Sequence, residues 1–154
     1  MTDMQRALIA AGFVVAKIDY PSRTKTVKKL SGPAIEEGLA QCETQGASTV
    51  HVVTHSMGGI LFRQYVADNN AEAFSRTVML APPNQGSEVV DALRDVPGFK
   101  RLNGPAGLQI GTDEPSVPSN PGPATSDIAV IAGTSTLLLQ SHKIIQGNIQ
   151  HTTT

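Results

Sequence analysis

The chain is poor in the residues that mark disulfide-stabilised, nucleic-acid-binding or membrane-spanning proteins. Its one cysteine, Cys42, has no partner for a disulfide within the chain. Twelve basic and thirteen acidic side chains leave a formal charge of -1, so no positive field attracts nucleic acid or an anionic membrane. No apolar run reaches the roughly 20 residues that a membrane helix needs. We therefore expect a soluble protein with no integral membrane segment and no nucleic-acid partner, and the cytoplasm is the favoured location.

The length and hydrophobic content predict one folding unit. With 154 residues, 40% of them hydrophobic, the chain can bury one core, and we expect a single domain over residues 1–154. The N-terminus resembles a secretion signal only superficially, because Asp3 spoils the charged start and Gly12 interrupts the apolar run behind Arg6. We favour a helix that stops at Gly12 and leads into a strand.

Helix-like and strand-like segments alternate along the first 132 residues. The helical patterns cover residues 3–11, residues 31–45 with Pro33 in the first turn, and residues 60–68. The apolar runs that suit buried strands cover residues 13–18, 49–54, 77–81 and 128–132. This alternation predicts an α/β fold with a mostly parallel sheet flanked by helices.

Two segments depart from this alternation. Six of the ten prolines lie between residues 97 and 127. Long segments without periodic apolar residues are typical of functional loops, so we expect a loop or lid-like excursion there. The residues 134–154 form an atypical tail, in which Lys143 is the single formally charged side chain.

A serine lies where a predicted strand meets a predicted helix. Residues 54–59 are Thr-His-Ser-Met-Gly-Gly, which places Ser56 directly behind the strand at 49–54. A hydroxyl is a weak nucleophile, and hydrolases expose it on a sharp strand-to-helix turn flanked by small side chains. That turn also points the free N–H groups of the helix start toward a developing oxyanion. We therefore predict Ser56 as the nucleophile and Met57 N–H as an oxyanion donor.

With this motif, the sequence resembles the bacterial esterases and triacylglycerol-lipase-like members of the α/β-hydrolase superfamily. Residues 12–22 (GFVVAKIDYPS) and residues 80–87 (LAPPNQGS) share the resemblance, which spans roughly residues 3–133. The resemblance implies an ester or lipid substrate, no cofactor and no metal. It also implies a catalytic triad in the chain order serine, acid, histidine.

The triad acid has no obvious position in this sequence. In the resembled family the acid follows the strand that we place at 128–132, but no Asp or Glu occurs after Asp127. Some hydrolases carry the acid after the preceding strand, where this chain has Glu88 and Asp91. We predict Asp91 as the acid and keep Asp127, which precedes its strand, in reserve.

Four histidines compete for the role of general base. The resemblance implies a base beyond the final strand, and His151 would follow a short strand at residues 143–149. His142 is the reserve. We expect His51 to pack in the core as part of its strand, and His55 to be aimed away from Ser56 by the turn. His151 is therefore the predicted base.

The resemblance further implies a fold that is truncated relative to the full family. The second oxyanion donor of the family comes from a loop that precedes the helix at residues 3–11. The strand before that loop would lie between the strands at 13–18 and 49–54. Because unpaired buried backbone is costly, we expect self-association, strand exchange or a rearranged sheet to close the gap.

These patterns predict a serine carboxylic-ester hydrolase, with the segment 97–127 lining an acyl pocket. The alternative is a catalytically impaired or vestigial hydrolase-fold binding domain that lacks a complete triad. A third interpretation is an acyltransferase, because the serine motif does not distinguish water from another acceptor.

Overall fold

The computed structural model describes residues 2–69, 71–112 and 127–132, together with the backbone of residues 150–151. Its elements, in chain order, are α1 (Thr2–Ala10), α2 (Val27–Thr44), β1 (Val50–His55), α3 (Met57–Asp68), β2 (Phe74–Leu80), α4 (Glu88–Leu93), α5 (Phe99–Leu108), β3 (Asp127–Ile131) and β4 (Gln150–His151). Among these helices, none combines the length and the apolar character needed to cross a bilayer.

The strands form one mixed sheet in the order β1-β2-β3-β4. β1, β2 and β3 run parallel, and β4 pairs antiparallel with β3. The parallel strands finish level with one another, since His55 is opposite Leu80 and Leu80 is opposite Ile131. The predicted α/β class with a mostly parallel sheet flanked by helices is confirmed, and the carboxyl edge of the sheet is where parallel sheets of this kind place their functional residues.

Two apolar clusters hold the helices and the sheet together. The first joins α2, α3 and α5 through Val27, Leu30, Ile60, Leu61 and Ala106. The second joins α3 to β2 through Phe62, Tyr65, Phe74 and Met79, with the Phe62 and Phe74 rings edge to face at 5.0 Å. The aromatic pair adds a directional contact to the area that the cluster removes from water. α3 is therefore buried on two sides, and it is the helix that begins behind Ser56.

Helix α2 begins earlier than its sequence pattern indicates. The prediction placed Pro33 in the first turn, whereas α2 starts at Val27 and contains Pro33 in its interior. Thr26 supplies no side-chain cap. Instead, Gln109 Oε1 accepts a hydrogen bond of 2.9 Å from Val27 N–H. Burial of Val27 and Leu30 favours the extra turns, and a cap from a distant residue cannot be read from local sequence.

The predicted strand at residues 13–18 does not form. These residues follow α1 as a segment without regular secondary structure or ladder hydrogen bonds, and Phe13 and Val14 remain about half exposed. Among the described residues β1 pairs only with β2, so its other edge offers no neighbour at pairing distance. A strand exists only as part of a ladder, and the apolar pattern alone does not supply the partner. The expected self-association or strand exchange stays a prediction.

The expected core position of His51 is also wrong. Its side chain is exposed, and its ring packs edge-on against the Phe13 ring at a centroid distance of 6.3 Å. His51 is on the terminal strand of the described sheet, where no helix or strand covers it. The missing neighbour of β1 therefore accounts for both errors.

The segment predicted as a loop over residues 97–127 contains a helix. α5 occupies residues 99–108 and is kinked at Gly104, whose φ of 67° and ψ of -178° break the helical path before Pro105. Gly104 also packs tightly on the backbone of Arg23, where a Cβ atom would clash. α5 packs small residues against the core, so it lacks the periodic large apolar residues from which a helix is predicted. Residues 113–126, and the tail 134–154 apart from β4, lie outside the described residues.

The Gln109 cap gives a direct test of the α2 start. We expect Gln109→Ala to lower the free energy of unfolding by about 1–3 kcal/mol, because it leaves the buried Val27 N–H without an acceptor. The matched control Gln41→Ala removes a glutamine whose amide bonds an exposed Glu37 carboxylate. We expect that control to stay within about 0.5 kcal/mol of the wild type in urea titrations. Equal effects of the two variants would contradict the cap.

Candidate active site

Ser56 is the single residue between β1 and α3, and its backbone is strained. Its φ of 51° and ψ of -124° lie outside the regions that non-glycine residues normally occupy. Such conformations persist only where the surroundings enforce them, and they concentrate at functional sites. Ser56 N–H donates a 2.9 Å hydrogen bond to Leu80 O of the neighbouring strand. The turn is thereby fixed to the end of β2, and Ser56 stays partly accessible.

Close packing on one side of Ser56 explains why this turn needs glycine. A Cβ atom on Gly58 would lie 3.6 Å from Thr54 Cβ, so the residues two positions either side of Ser56 touch. A Cβ atom on Gly59 would lie 2.9 Å from Pro82 Cβ, which is closer than real Cβ atoms approach. The helix α3 can therefore leave the strand at this angle only because position 59 has no side chain, whereas a Cβ atom at position 58 would make an ordinary van der Waals contact.

The start of α3 presents backbone donors beside Ser56. Gly59 N–H is already bonded to Ser56 O at 3.0 Å. Met57 and Gly58 hold the first positions of the helix, whose N–H groups have no acceptor within the helix. The helix dipole places its positive end at the same point. This end of α3 can stabilise a negative oxygen that develops next to the Ser56 side chain.

The loop behind β2 is held against the same edge of the sheet. Ala81 has a positive φ of 45°, and its N–H donates a 2.7 Å hydrogen bond to Ile131 O of β3. Arg63 of α3 donates a 3.0 Å hydrogen bond to Asn84 Oδ1. Burial lowers the pKa of Arg63 from its ordinary value. The contact of Pro82 with Gly59 and the Arg63–Asn84 bond fix this loop beside the helix that carries the serine turn.

An apolar wall adjoins the serine turn. Tyr20, Met57 and Ile110 are partly buried and pack on the cluster that joins α2, α3 and α5. Tyr20 Oη lies 3.6 Å from the position of a Cβ atom on Gly58. Burial, followed by the charge of Asp19, raises the pKa of Tyr20, so its hydroxyl stays neutral. Met57 and the neutral Tyr20 hydroxyl thus adjoin the turn, and Ile110 packs on the same cluster.

The candidate acids lie on two elements, α4 and β3. Asp91 of α4 accepts hydrogen bonds from Thr112 N–H at 2.9 Å and Thr112 Oγ1 at 2.6 Å, and from Arg94 at 2.9 Å. Glu88 is the exposed first residue of the same helix. Asp127 begins β3 opposite Arg76, at the end of the sheet away from Ser56. The contacts of Asp91 tie α4 to the segment behind α5, and its role as triad acid stays a prediction.

The predicted histidines are described only in part. The backbone of His151 lies in β4 opposite Ala129, two residues before the carboxyl end of β3, and its side chain is outside the described residues. His142 and the strand expected at residues 143–149 are also outside them. Within the described part of the chain, no hydrogen bond joins Ser56 to a histidine or an acid. The assignment of His151 as base therefore stays a prediction.

Three contributors to the site were not assigned from sequence. Tyr20 lies in a segment that carries the family resemblance, but its spacing gave no reason to place its hydroxyl beside Gly58. Pro82 and the Arg63–Asn84 pair also belong to segments that are distant in sequence. A pairing between residues 21 positions apart leaves no periodic signal. No group of three or more potential metal ligands occurs in the described segments.

The structure is similar to a phospholipase fold. Phospholipase PlaB from Legionella pneumophila superposes with a TM-score of 0.56 at 16% sequence identity, over 85% of this chain and 34% of that chain. The chain thus spans about a third of the length of this neighbour. No family model and no curated protein matches the sequence. At this identity the likeness shows a lipase-like α/β fold.

The contact of Gly59 with Pro82 predicts a sharp difference between two glycines. We expect Gly59→Ala to lower the free energy of unfolding by about 1–3 kcal/mol, because the rigid proline ring cannot yield to the new methyl group. The control Gly32→Ala puts a methyl 4.0 Å from the flexible Glu36 side chain. It removes a helical glycine and raises stability by up to about 1 kcal/mol. Thermal denaturation that ranks the two variants the other way would contradict the packing described for the turn.

Proposed function

We propose that this chain is a serine carboxylic-ester hydrolase in which Ser56 forms an acyl-enzyme. The observation that carries the proposal is the strained backbone of Ser56 at a strand-to-helix junction. Backbone strain of this kind costs free energy of folding. The strain is expected where a nucleophile must project from the edge of a sheet. An inert serine in an ordinary turn would not require a left-handed φ, nor a glycine at position 59 to clear Pro82.

The proposed reaction follows from the groups around the turn. Ser56 Oγ attacks the ester carbonyl carbon while its proton passes to the base, and the carbonyl oxygen becomes an oxyanion. Met57 N–H donates to that oxyanion at the positive end of α3. The tetrahedral intermediate then collapses, the C–O bond to the alcohol breaks, and the base returns its proton to the leaving alkoxide. Water repeats the sequence on the acyl-enzyme and releases the carboxylic acid.

The relay that we propose consists of His151 as base and Asp91 as the acid that orients it. His142 is the reserve for the base, whereas Asp127 begins β3 at the opposite end of the sheet from Ser56 and is not retained as a reserve for the acid. Asp91 lies on the helix behind β2, and its oxygens already bond Thr112 and Arg94. A carboxylate has about four acceptor sites, so these contacts leave room for one imidazole N–H.

The proposed substrates are esters of apolar carboxylic acids, including lipid esters. Met57 and Tyr20 beside the turn, together with Ile110 on the same apolar cluster, are the proposed acyl contacts, and Tyr20 adds a neutral hydroxyl. The similar structure carries the name of a phospholipase, which supports a lipid ester as the natural substrate. No step requires a cofactor.

The first test is covalent labelling of Ser56. We expect a fluorophosphonate probe to label the wild-type chain and p-nitrophenyl butyrate to be hydrolysed, and both signals to fall to background in Ser56→Ala. The control Ser75→Ala removes an exposed serine of β2 and should keep both signals. Labelling that persists in Ser56→Ala, or no labelling of the wild type, would overturn the proposal. If the wild type is not labelled, the alternative of a hydrolase-fold binding domain without turnover is favoured.

The identity of the base is tested separately. We expect His151→Ala to slow fluorophosphonate labelling by about a hundred- to ten-thousandfold, the range that general-base catalysis normally contributes. His51→Ala removes an exposed histidine of β1 and should label at the wild-type rate. Slow labelling in His142→Ala, combined with a normal rate in His151→Ala, would assign the base to His142 and disprove the role of His151.

A further inference from the structure

The Tyr20 hydroxyl is an unused hydrogen-bond donor beside the serine turn. It makes no hydrogen bond among the described residues, and the side chain stays partly exposed. Tyrosine hydroxyls that are withdrawn from water normally find a partner. Burial, followed by the charge of Asp19, raises the pKa of Tyr20, so the hydroxyl keeps its proton and can donate a hydrogen bond. An acceptor that arrives with a ligand would satisfy it.

Tyr20 Oη lies against the first turn of α3. It is 3.6 Å from the position of a Cβ atom on Gly58, the second residue of that helix. A Cβ atom is about 2.5 Å from its own backbone N, so Tyr20 Oη is within roughly 6 Å of Gly58 N. Two donors that share one acceptor at about 2.9 Å are also at most roughly 6 Å apart. One oxygen atom of a ligand can therefore accept from the hydroxyl and from the N–H groups that begin α3.

The position of the Tyr20 side chain is fixed by contacts on two sides. Its ring packs on the apolar cluster that joins α2, α3 and α5. Ser22 N–H donates a 2.9 Å hydrogen bond to Tyr20 O, and the backbone of Arg23 packs on Gly104 of α5. Donors that are held in place before the reaction stabilise developing charge without a cost for reorganisation. The Tyr20 hydroxyl meets this requirement.

Thr54 carries another hydroxyl near the turn, but this one is enclosed. Thr54 Oγ1 also has no partner among the described residues, and the residue is 7% exposed. The oxygen is 3.4 Å from the position of a Cβ atom on Gly59, so it lies on the covered side of the turn. A substrate cannot reach a hydroxyl that is buried between β1 and α3. Of these two hydroxyls, that of Tyr20 is the one that a substrate can contact.

We propose that Tyr20 Oη donates the second hydrogen bond to the oxyanion that Met57 N–H holds. This inference rests on the proposed function, because the oxyanion forms only when Ser56 attacks an ester carbonyl. Negative charge develops on the carbonyl oxygen, the Tyr20 hydroxyl keeps its proton, and the hydrogen bond strengthens as the charge grows. When the alcohol leaves, the oxygen becomes a carbonyl oxygen again and the bond weakens. Tyr20 is thus a catalytic residue whose hydroxyl bonds the tetrahedral intermediate, while its ring contacts the acyl group.

The test is steady-state hydrolysis of p-nitrophenyl butyrate by the wild-type chain and by Tyr20→Phe, which keeps the ring and removes the hydroxyl. We expect kcat to fall by about a hundred- to a thousandfold, the range that loss of one oxyanion donor normally gives. We expect KM to stay near its wild-type value, because the bond strengthens only in the transition state. The matched control Tyr65→Phe changes the other tyrosine of the chain, which is buried on α3 against Phe74. That control should keep the wild-type kcat.

A second readout distinguishes a bond to the oxyanion from a packing role of Tyr20. A short alkyl trifluoromethyl ketone adds to a serine hydroxyl and forms a tetrahedral adduct that carries the same oxyanion. We expect Tyr20→Phe to raise the inhibition constant of this ketone by the factor by which it lowers kcat/KM. A purely structural role would lower the thermal midpoint and leave the two factors unrelated.

The outcomes separate this inference from the proposed function. A fall in kcat with a matching loss of ketone affinity supports both proposals. If the wild type hydrolyses the ester and Tyr20→Phe has the same kcat as Tyr65→Phe, the Tyr20 assignment is wrong and the hydrolase stands. If Tyr20→Phe raises KM and leaves kcat unchanged, the hydroxyl binds the ground state of the substrate, and the oxyanion assignment is again wrong. If the wild type shows neither Ser56 labelling nor turnover, the hydrolase is rejected and the role of Tyr20 with it.

Discussion

The structure depends on one backbone conformation, the left-handed φ of Ser56 between β1 and α3. Ladder bonding fixes it from one side, since Ser56 N–H bonds Leu80 O, and close packing fixes it from the other, where Gly59 meets Pro82. The angle at which α3 leaves the sheet follows from this turn. That angle brings Phe62 and Tyr65 onto Phe74, and it brings Ile60 and Leu61 onto α2. Both apolar clusters therefore contain residues whose positions the turn determines.

Local sequence predicts the strands of the sheet and the serine turn of the candidate site. The strands β1, β2 and β3 are apolar and β-branched, and the pair Gly58-Gly59 behind a serine indicates the sharp turn; each signal lies within a few residues. The errors have a common cause in distant partners. Residues 13–18 have a strand pattern but pair with no strand of the described residues, and α2 starts at Val27, where Gln109, 82 residues away, caps it. Local periodicity contains no information on either partner.

The catalytic acid and base also cannot be located from local sequence. A nucleophile on a turn is marked by its own neighbours, whereas an acid and a base are defined by where the chain brings them. Asp91 was predicted as the acid from its position in the chain. Its carboxylate is hydrogen-bonded to Thr112 and Arg94, and these contacts could not be predicted from the sequence. The similar phospholipase structure shows the fold and leaves these roles to experiment. The functional proposal therefore depends on Ser56 more than on any other residue.

Pairing of another strand with the free edge of β1 would affect binding at Ser56. β1 leads directly into Ser56, and among the described residues β2 is its one ladder neighbour. Its residues, Val50 to His55, include no formal charge and no proline to discourage another strand from pairing. A strand that added to this edge would restrain the backbone that precedes the strained serine. Thermodynamic linkage then requires that whatever binds at the edge and whatever binds at Ser56 alter each other's affinity by the same factor.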